Sequence, residues 1–180
     1  MKNILPLAVI LLMIAGCSPS MSVFSDYDHS LSVAAYKTFS WTDTKTIEEK
    51  GTTPHYITAL TNERIRNAVQ SALLNRGLTA AAGTGDLEVH YHIIIDNKTM
   101  VITEPYGSKY SPYLEKKNSS STYAYKEGSL VIDLTDTRTH ELVWRGWATD
   151  VITEREMQKP EEAINHAVQE IFKKSPFAVR

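Results

Sequence analysis

The chain has 180 residues, 19 basic and 21 acidic side chains, a formal net charge of −2, and a single cysteine. That length suits one domain with a sizeable core. Its charges are interspersed, which excludes the concentrated positive footprint that nucleic acid demands, and one cysteine cannot close an internal disulfide.

Lys2 is followed by Ile4 to Ala15 without a charged side chain. This is a short positive region and an apolar run. A bilayer-spanning helix needs about 20 apolar residues, so the run predicts an export signal rather than a membrane span. It ends in Ile14-Ala15-Gly16-Cys17, which resembles a bacterial lipobox. That resemblance implies cleavage before Cys17, a diacylglyceryl group on its thiol and a further acyl chain, such as palmitate, on its new amino group. Two chains already give stable anchoring. The alternative is an ordinary signal peptide, in which the cysteine is discarded on cleavage.

The expected division is therefore a signal over 1–16, an acylated cysteine and polar tether over 17–26, and one domain over 27–180. Ser18 is not the Asp that retains many such lipoproteins in the inner membrane. The resemblance thus implies the outer membrane, with the domain facing the periplasm. Removal of 16 of the 180 residues leaves 164, with no free thiol, disulfide or cysteine-based metal site.

"YKTFSW" alternates, with Phe39 and Trp41 on one side, and predicts a first strand. From about Thr58 to Arg76, Ile65, Ala68, Val69, Ala72 and Leu73 recur at three and four residues, with Gly77 as C-cap. "DLEVHYHIII" alternates again: Leu87, Val89, Tyr91, Ile93 and Ile95 face one way, and Glu88, His90, His92 and Ile94 the other. "KTMVITE" is expected to pair with it through a turn at Asp96-Asn97.

"PYGSKYSPYLEKKNSSSTYAY" shifts to Ser, Pro, Gly and Tyr, and is expected to be a long surface loop. Its Tyr106, Tyr110, Tyr113, Tyr123 and Tyr125 suit an adaptable contact surface, since tyrosine offers area at low entropic cost. Equally, the rings could cover a sheet edge.

"EGSLVIDLTDTRTHELVWRGWATDVI" predicts a hairpin that aligns Leu134 with Leu142 and Ile132 with Trp144. Val131 would then oppose Arg145, with Asp133 diagonal to it in an ordinary cross-strand ion pair. A bulge at Gly146 would bring Trp144 and Trp147 to one side, Trp144 as core and Trp147 as a candidate partner contact. The closing helix begins near Pro160 with Glu161 and Glu162, carries Ala163, Ile164, Ala167, Val168, Ile171 and Phe172 as its apolar stripe, and stops at Ser175-Pro176.

Together, "YKTFSW", the first helix, "DLEVHYH", the hairpin and the proline-started helix resemble bacterial lipoproteins of the domain of unknown function 4136 family. This likeness implies no activity, substrate or catalytic residue. The expected architecture is α+β: an antiparallel sheet of about four or five strands with two amphipathic helices packed on one face.

No catalytic spacing is present: there is no nucleophile elbow, phosphate loop or H-E-x-x-H. His90 and His92 share a strand face as metal ligands could, but without a third ligand of recognisable spacing they predict a solvent-facing pair. No cofactor is expected. The sequence therefore predicts a non-enzymatic, lipid-anchored interaction or structural module. Its partners would be the membrane, through Cys17, and an envelope protein or cell-wall polymer. The alternative is a carrier of a small apolar ligand or lipid, in a cleft between sheet and helices.

Overall fold

The computed structural model describes residues 21–30, 32–42, 46–49, 58–106 and 117–178. Cys17, Tyr110 and Tyr113 lie outside the described residues, and Tyr106 enters through its backbone pairing alone.

Among the described residues, seven strands form one sheet: β1 Ser22–Tyr27, β2 Thr38–Trp41, β3 Thr46–Glu49, β4 Thr79–Ala80, β5 Leu87–Tyr106, β6 Lys117–Asp136 and β7 Leu142–Val151. The helices are α1 Ala59–Leu74, α2 Glu154–Gln158 and α3 Pro160–Lys173. Strand order is β1-β7-β6-β5-β2-β4, and β3 follows β2 along the same edge of β5, so the seven strands occupy six positions. The sheet is mixed rather than antiparallel. The chain leaves β3, crosses through α1 and re-enters as β4 and β5 running the same way, and such a crossover makes β2, β3 and β5 parallel.

α1 begins at Thr58, whose side chain accepts from the Thr61 backbone N–H, and ends before Gly77 at φ 78°, where the Leu78 N–H reaches back to Leu73 O at 3.2 Å. α3 has Pro160 in its first turn, with Glu161 and Glu162 beside it. The two long helices lie side by side and run in one direction. Arg64 approaches Glu161 at 3.9 Å near their starts, and Arg76 donates to Phe172 O at 2.6 Å near their ends. Ile65, Val69 and Leu73 from α1, and Val168, Ile171 and Phe172 from α3, pack on Phe39, Leu87, Val89, Ile132, Leu134 and Trp144 of the sheet. The expected pair of helices on one face holds, with the short α2 added.

Five local expectations are corrected. Residues 22–26, expected as tether, form with Tyr27 an edge strand paired with β7 from Ser22↔Thr149 to Tyr27↔Trp144; alternation of Val23, Ser25 and Tyr27 inward supplies the pattern. Asp96-Asn97 is not a turn. β5 runs straight through it and pairs with β6 in one unbroken register from Leu87↔Asp136 to Tyr106↔Lys117. The tyrosine-rich stretch is therefore strand over its described parts, not loop.

The hairpin register also shifts by two residues. Leu134 faces Trp144 and Ile132 faces Gly146, because Val143 is the extra residue in a bulge between Thr135↔Leu142 and Leu134↔Trp144. With no bulge at Gly146, Trp144 and Trp147 point to opposite faces, as residues three apart on a regular strand must. Trp144 is fully buried against Phe172, 5.1 Å between ring centres. No described helix is long and apolar enough to cross a membrane.

Candidate functional site

Three features stand out. The first is a groove of about 170 Å³ on the helix-covered face, at the end where β1 begins and β7 stops. Its floor is Ile93, Ile95, Gly128 and Leu130, and its wall is Ile65 with Ala163, Ile164 and Ala167 of α3. Met21, Ile152 and Met157 stand at the mouth. Small residues sit on both sides, Ala148 on the sheet and Ala163 and Ala167 on the helix, while the Ile152 side chain covers Gly128, its Cδ1 2.8 Å from where a Cβ would stand. At the other end of the same layer, Trp144 and Phe172 fill the equivalent space.

The polar groups near the groove are engaged elsewhere. Glu156 accepts from the Thr153 N–H and hydroxyl in the α2 cap, Thr61 belongs to the α1 cap, and Ser129 bonds Thr149 at 2.8 Å. Asp150, at the rim, accepts from the Val151 N–H at 2.8 Å, and the remaining surface offered to a ligand is hydrocarbon. The hydrogen bonds from Thr153 hold the Glu156 carboxyl below its ordinary range.

The second feature is the open face of the sheet, where the registers align residues in rows across four strands. One row is Asp26, Arg145, Asp133 and His90; the next is Phe24, Trp147, Val131 and His92. Asp133 is only 5% exposed, yet Arg145 grips both of its oxygens, Nε to Oδ1 at 2.7 Å and Nη2 to Oδ2 at 2.6 Å. This contact raises the Arg145 guanidinium above its ordinary value. Asp133 directly opposes Arg145, so the expected diagonal is replaced by a face-to-face, bidentate pair.

His92 Nε2 lies 3.8 Å from Asp133 Oδ2, and the His90 and His92 rings meet edge to face at 4.4 Å. One ligand atom from each of His90, His92 and Asp133 falls within 4.8 Å of the others. A zinc ion would need each about 2.1 Å away, and Asp133 would have to loosen a guanidinium before accepting it. The chemistry here is that of a charge-compensated surface. The two histidines are half-buried rather than solvent-facing, with Asp133 as the neighbour that sequence spacing did not supply.

The third feature is a ribbon. β7 pairs with β6 only as far as Glu127, and β3 with β5 only as far as Ile95. Beyond them the pairs from Asn97↔Lys126 to Tyr106↔Lys117 continue with no other described strand alongside. Ten pairs at strand spacing extend roughly 30 Å past the sheet. Tyr123 and Tyr125 share the strand parity of Asp133, placing them on the open-face side; Tyr123, Met100 and Val101 are exposed. Tyr106 closes the described end of the ribbon opposite Lys117. Trp147 is about six residues of strand away from Tyr125, stacked on Phe24 at 5.5 Å. Tyr123, Tyr125 and Trp147 thus share one face without forming one cluster.

The elements from β1 to α3 coincide with the match of a known family model. The model for the domain of unknown function DUF4136 matches residues 23–177. The chain belongs to this family.

No curated protein matches the chain. Among solved structures, a DUF4136 family protein from Bacteroides thetaiotaomicron VPI-5482 is 19% identical and superposes with a TM-score of 0.59, covering 89% of this chain and 98% of its own. A PDZ domain protein from Parabacteroides distasonis is 12% identical with a TM-score of 0.55, over 89% of this chain and 36% of its own. Both likenesses concern the fold alone.

Proposed function

We propose that this DUF4136 protein is a non-catalytic, lipid-anchored binding module of the cell envelope. It is exported by residues 1–16, acylated on Cys17 and held at the outer membrane with its domain facing the periplasm. Its ribbon, with Tyr123 and Tyr125, engages an envelope protein or cell-wall polymer. The observation that carries this reading is directional. β1 starts at the same end of the sheet from which the ribbon projects, so a short tether would place both beside the anchoring surface. A two-stranded ribbon is marginal alone in water, and a partner supplies what its own fold does not.

The test combines two variants. Cys17→Ser should leave an unprocessed, unacylated precursor, and normal membrane anchoring of that variant would refute the lipoprotein assignment. A photo-crosslinking amino acid at position 123 should capture an envelope partner. Replacing residues 99–124 by an Asn-Gly turn should abolish co-purification of that partner with the otherwise unlabelled protein, and unchanged co-purification would sink the ribbon as contact surface.

The groove favours a second function, the binding of a small apolar chain. Its hydrocarbon lining and the prior engagement of its polar neighbours support this.

A further inference from the structure

We infer that the apolar groove holds a stretch of one of the protein's own Cys17 acyl chains whenever that lipid is not in a bilayer. The inference rests on the proposed acylation of Cys17 and names the ligand of the apolar-binding function above.

The argument starts from the path of the chain. Met21 lines the groove, and β1 descends from it antiparallel to β7, with Ser22 opposite Thr149 and Val23 opposite Ala148. Continued backwards, that direction leads to Asp150 and Val151, which also line the groove. Cys17 precedes Met21 by four residues, a span of at most about 14 Å. The acyl chains on Cys17 are thus tethered within reach of the mouth, at a high effective concentration that no free lipid matches.

The chemistry agrees with the path. A closed cavity of roughly 150 Å³ lined by Leu, Ile and Phe admits benzene, which sets the scale for this open groove. The groove, at about 170 Å³, therefore accommodates a benzene-sized length of hydrocarbon rather than an entire lipid. Its floor and wall present Ile93, Ile95, Leu130 and Ile164, and the exposed Met157 offers an adaptable rim at the entrance. No cationic side chain lines it, so a phosphate headgroup finds no counter-charge there. A headgroup-bearing phospholipid is a poorer occupant than a bare acyl chain attached through a thioether or amide. Occupation would shield apolar methylenes from water while the protein is between membranes.

The experiment uses the full-length protein made in cells fed a fatty acid that carries a photoactivatable diazirine and an alkyne. Isotopically heavy and light preparations are extracted, mixed, freed of detergent and illuminated, and the crosslinks are mapped by mass spectrometry. The expected result is a Cys17-linked chain joined to residues 152–167 within the same molecule, heavy to heavy and light to light. Added phosphatidylethanolamine and phosphatidylglycerol vesicles should remove it. Met157→Glu, which alters an exposed side chain, and Ala163→Phe, which fills the groove, should each abolish the crosslink while leaving acylation intact. A labelled Cys17 joined only to other molecules overturns the groove inference and leaves the anchor standing. Absence of label on Cys17 overturns the anchor, and a free fatty acid or phospholipid captured in the groove instead overturns self-occupation.

Discussion

Asp133 and Arg145 stand directly opposite each other on β6 and β7, and the guanidinium donates to both carboxylate oxygens at 2.7 and 2.6 Å. The two partners are unequal: the carboxylate is almost wholly covered, whereas the arginine side chain is 45% exposed. Removing the arginine leaves a covered charge without its main counter-ion, which for a fully buried pair costs about 3–5 kcal/mol. Water reaches this pair from the arginine side, so Arg145→Ala is expected to cost about 1–2 kcal/mol, between the buried and exposed limits. Converting both residues to leucine should cost less than either alanine single. Urea denaturation of the two leucine singles and the leucine double measures the coupling, and simple additivity would contradict a coupled pair.

Gly146 sits where β7 passes under both Trp144 and α3. A methyl group on it would overlap the Trp144 ring and lie 2.6 Å from Ile171 Cγ2. Trp144 and Ile171 are fully buried and have no room to retreat, so Gly146→Ala overpacks the core at a cost of about 1–3 kcal/mol. Tryptophan emission reports on the same site, and a displaced Trp144 should shift it. Unaltered emission together with unaltered stability would mean that the strand and α3 are not in contact as described.

Acid should loosen the end of the sheet opposite the groove. The Asp86 carboxyl accepts from the backbone N–H groups of Lys37 and Thr38 at 2.8 and 2.9 Å, which hold it below the ordinary carboxylate range. Asp136 is lowered in the same way by the N–H groups of Arg138 and Thr139, with the Tyr36 hydroxyl donating as well. A carboxyl depressed in the folded state binds fewer protons there than in the unfolded chain, whose value is about 3.9. Its stabilisation is complete above that value and is lost as pH falls through the folded value. Between about pH 6 and pH 3 the wild-type urea midpoint should therefore drop further than that of Asp86→Asn. Parallel drops would show that these carboxyls do not link the strands to pH.

The outcome at each element traces to how local its cause is. The two long helices were legible because their apolar spacing, Pro160 and Gly77 are local signals, and so was the inward face of β5 from Leu87 to Ile95. In the parallel half of the sheet only β2 was legible, through the alternation of "YKTFSW"; β3 and β4 are four and two residues long, too short for periodicity to register, and nothing local says that β2 runs parallel to β5. The hairpin failed by one bulge. Val143 and Trp144 are adjacent and both buried, and nothing in "ELVW" says which of the two is the extra residue. Once Val143 is set aside, Asp133 meets Arg145 and Trp147 turns away from Trp144. The groove left only the trace of small residues at 128, 148, 163 and 167, whose juxtaposition depends on the packing of α3 over the sheet.

The ribbon separates contact from stability. Beyond the Lys98↔Tyr125 pair the described side chains, Thr99, Met100, Val101, Thr122, Tyr123 and Ala124, are all exposed, whereas Ile95 and Gly128 just below them floor the groove. Lys98 itself reaches Asp96 at 3.4 Å and Glu127 at 3.7 Å, a cluster that raises its ammonium above the ordinary value, with Asp96 as the larger cause, and closes the base. Replacing residues 99–124 by Asn-Gly keeps that cluster and the register, since Lys98 and Tyr125 are partners and a two-residue turn fits a hairpin. Such a protein should match wild type within about 0.5 kcal/mol. Cutting two residues deeper on each strand removes the cluster and exposes the groove floor, and should lower the urea midpoint clearly. If the shorter cut alone destabilises the domain as much as the deeper one, the ribbon is part of the folding unit and not a projecting contact arm.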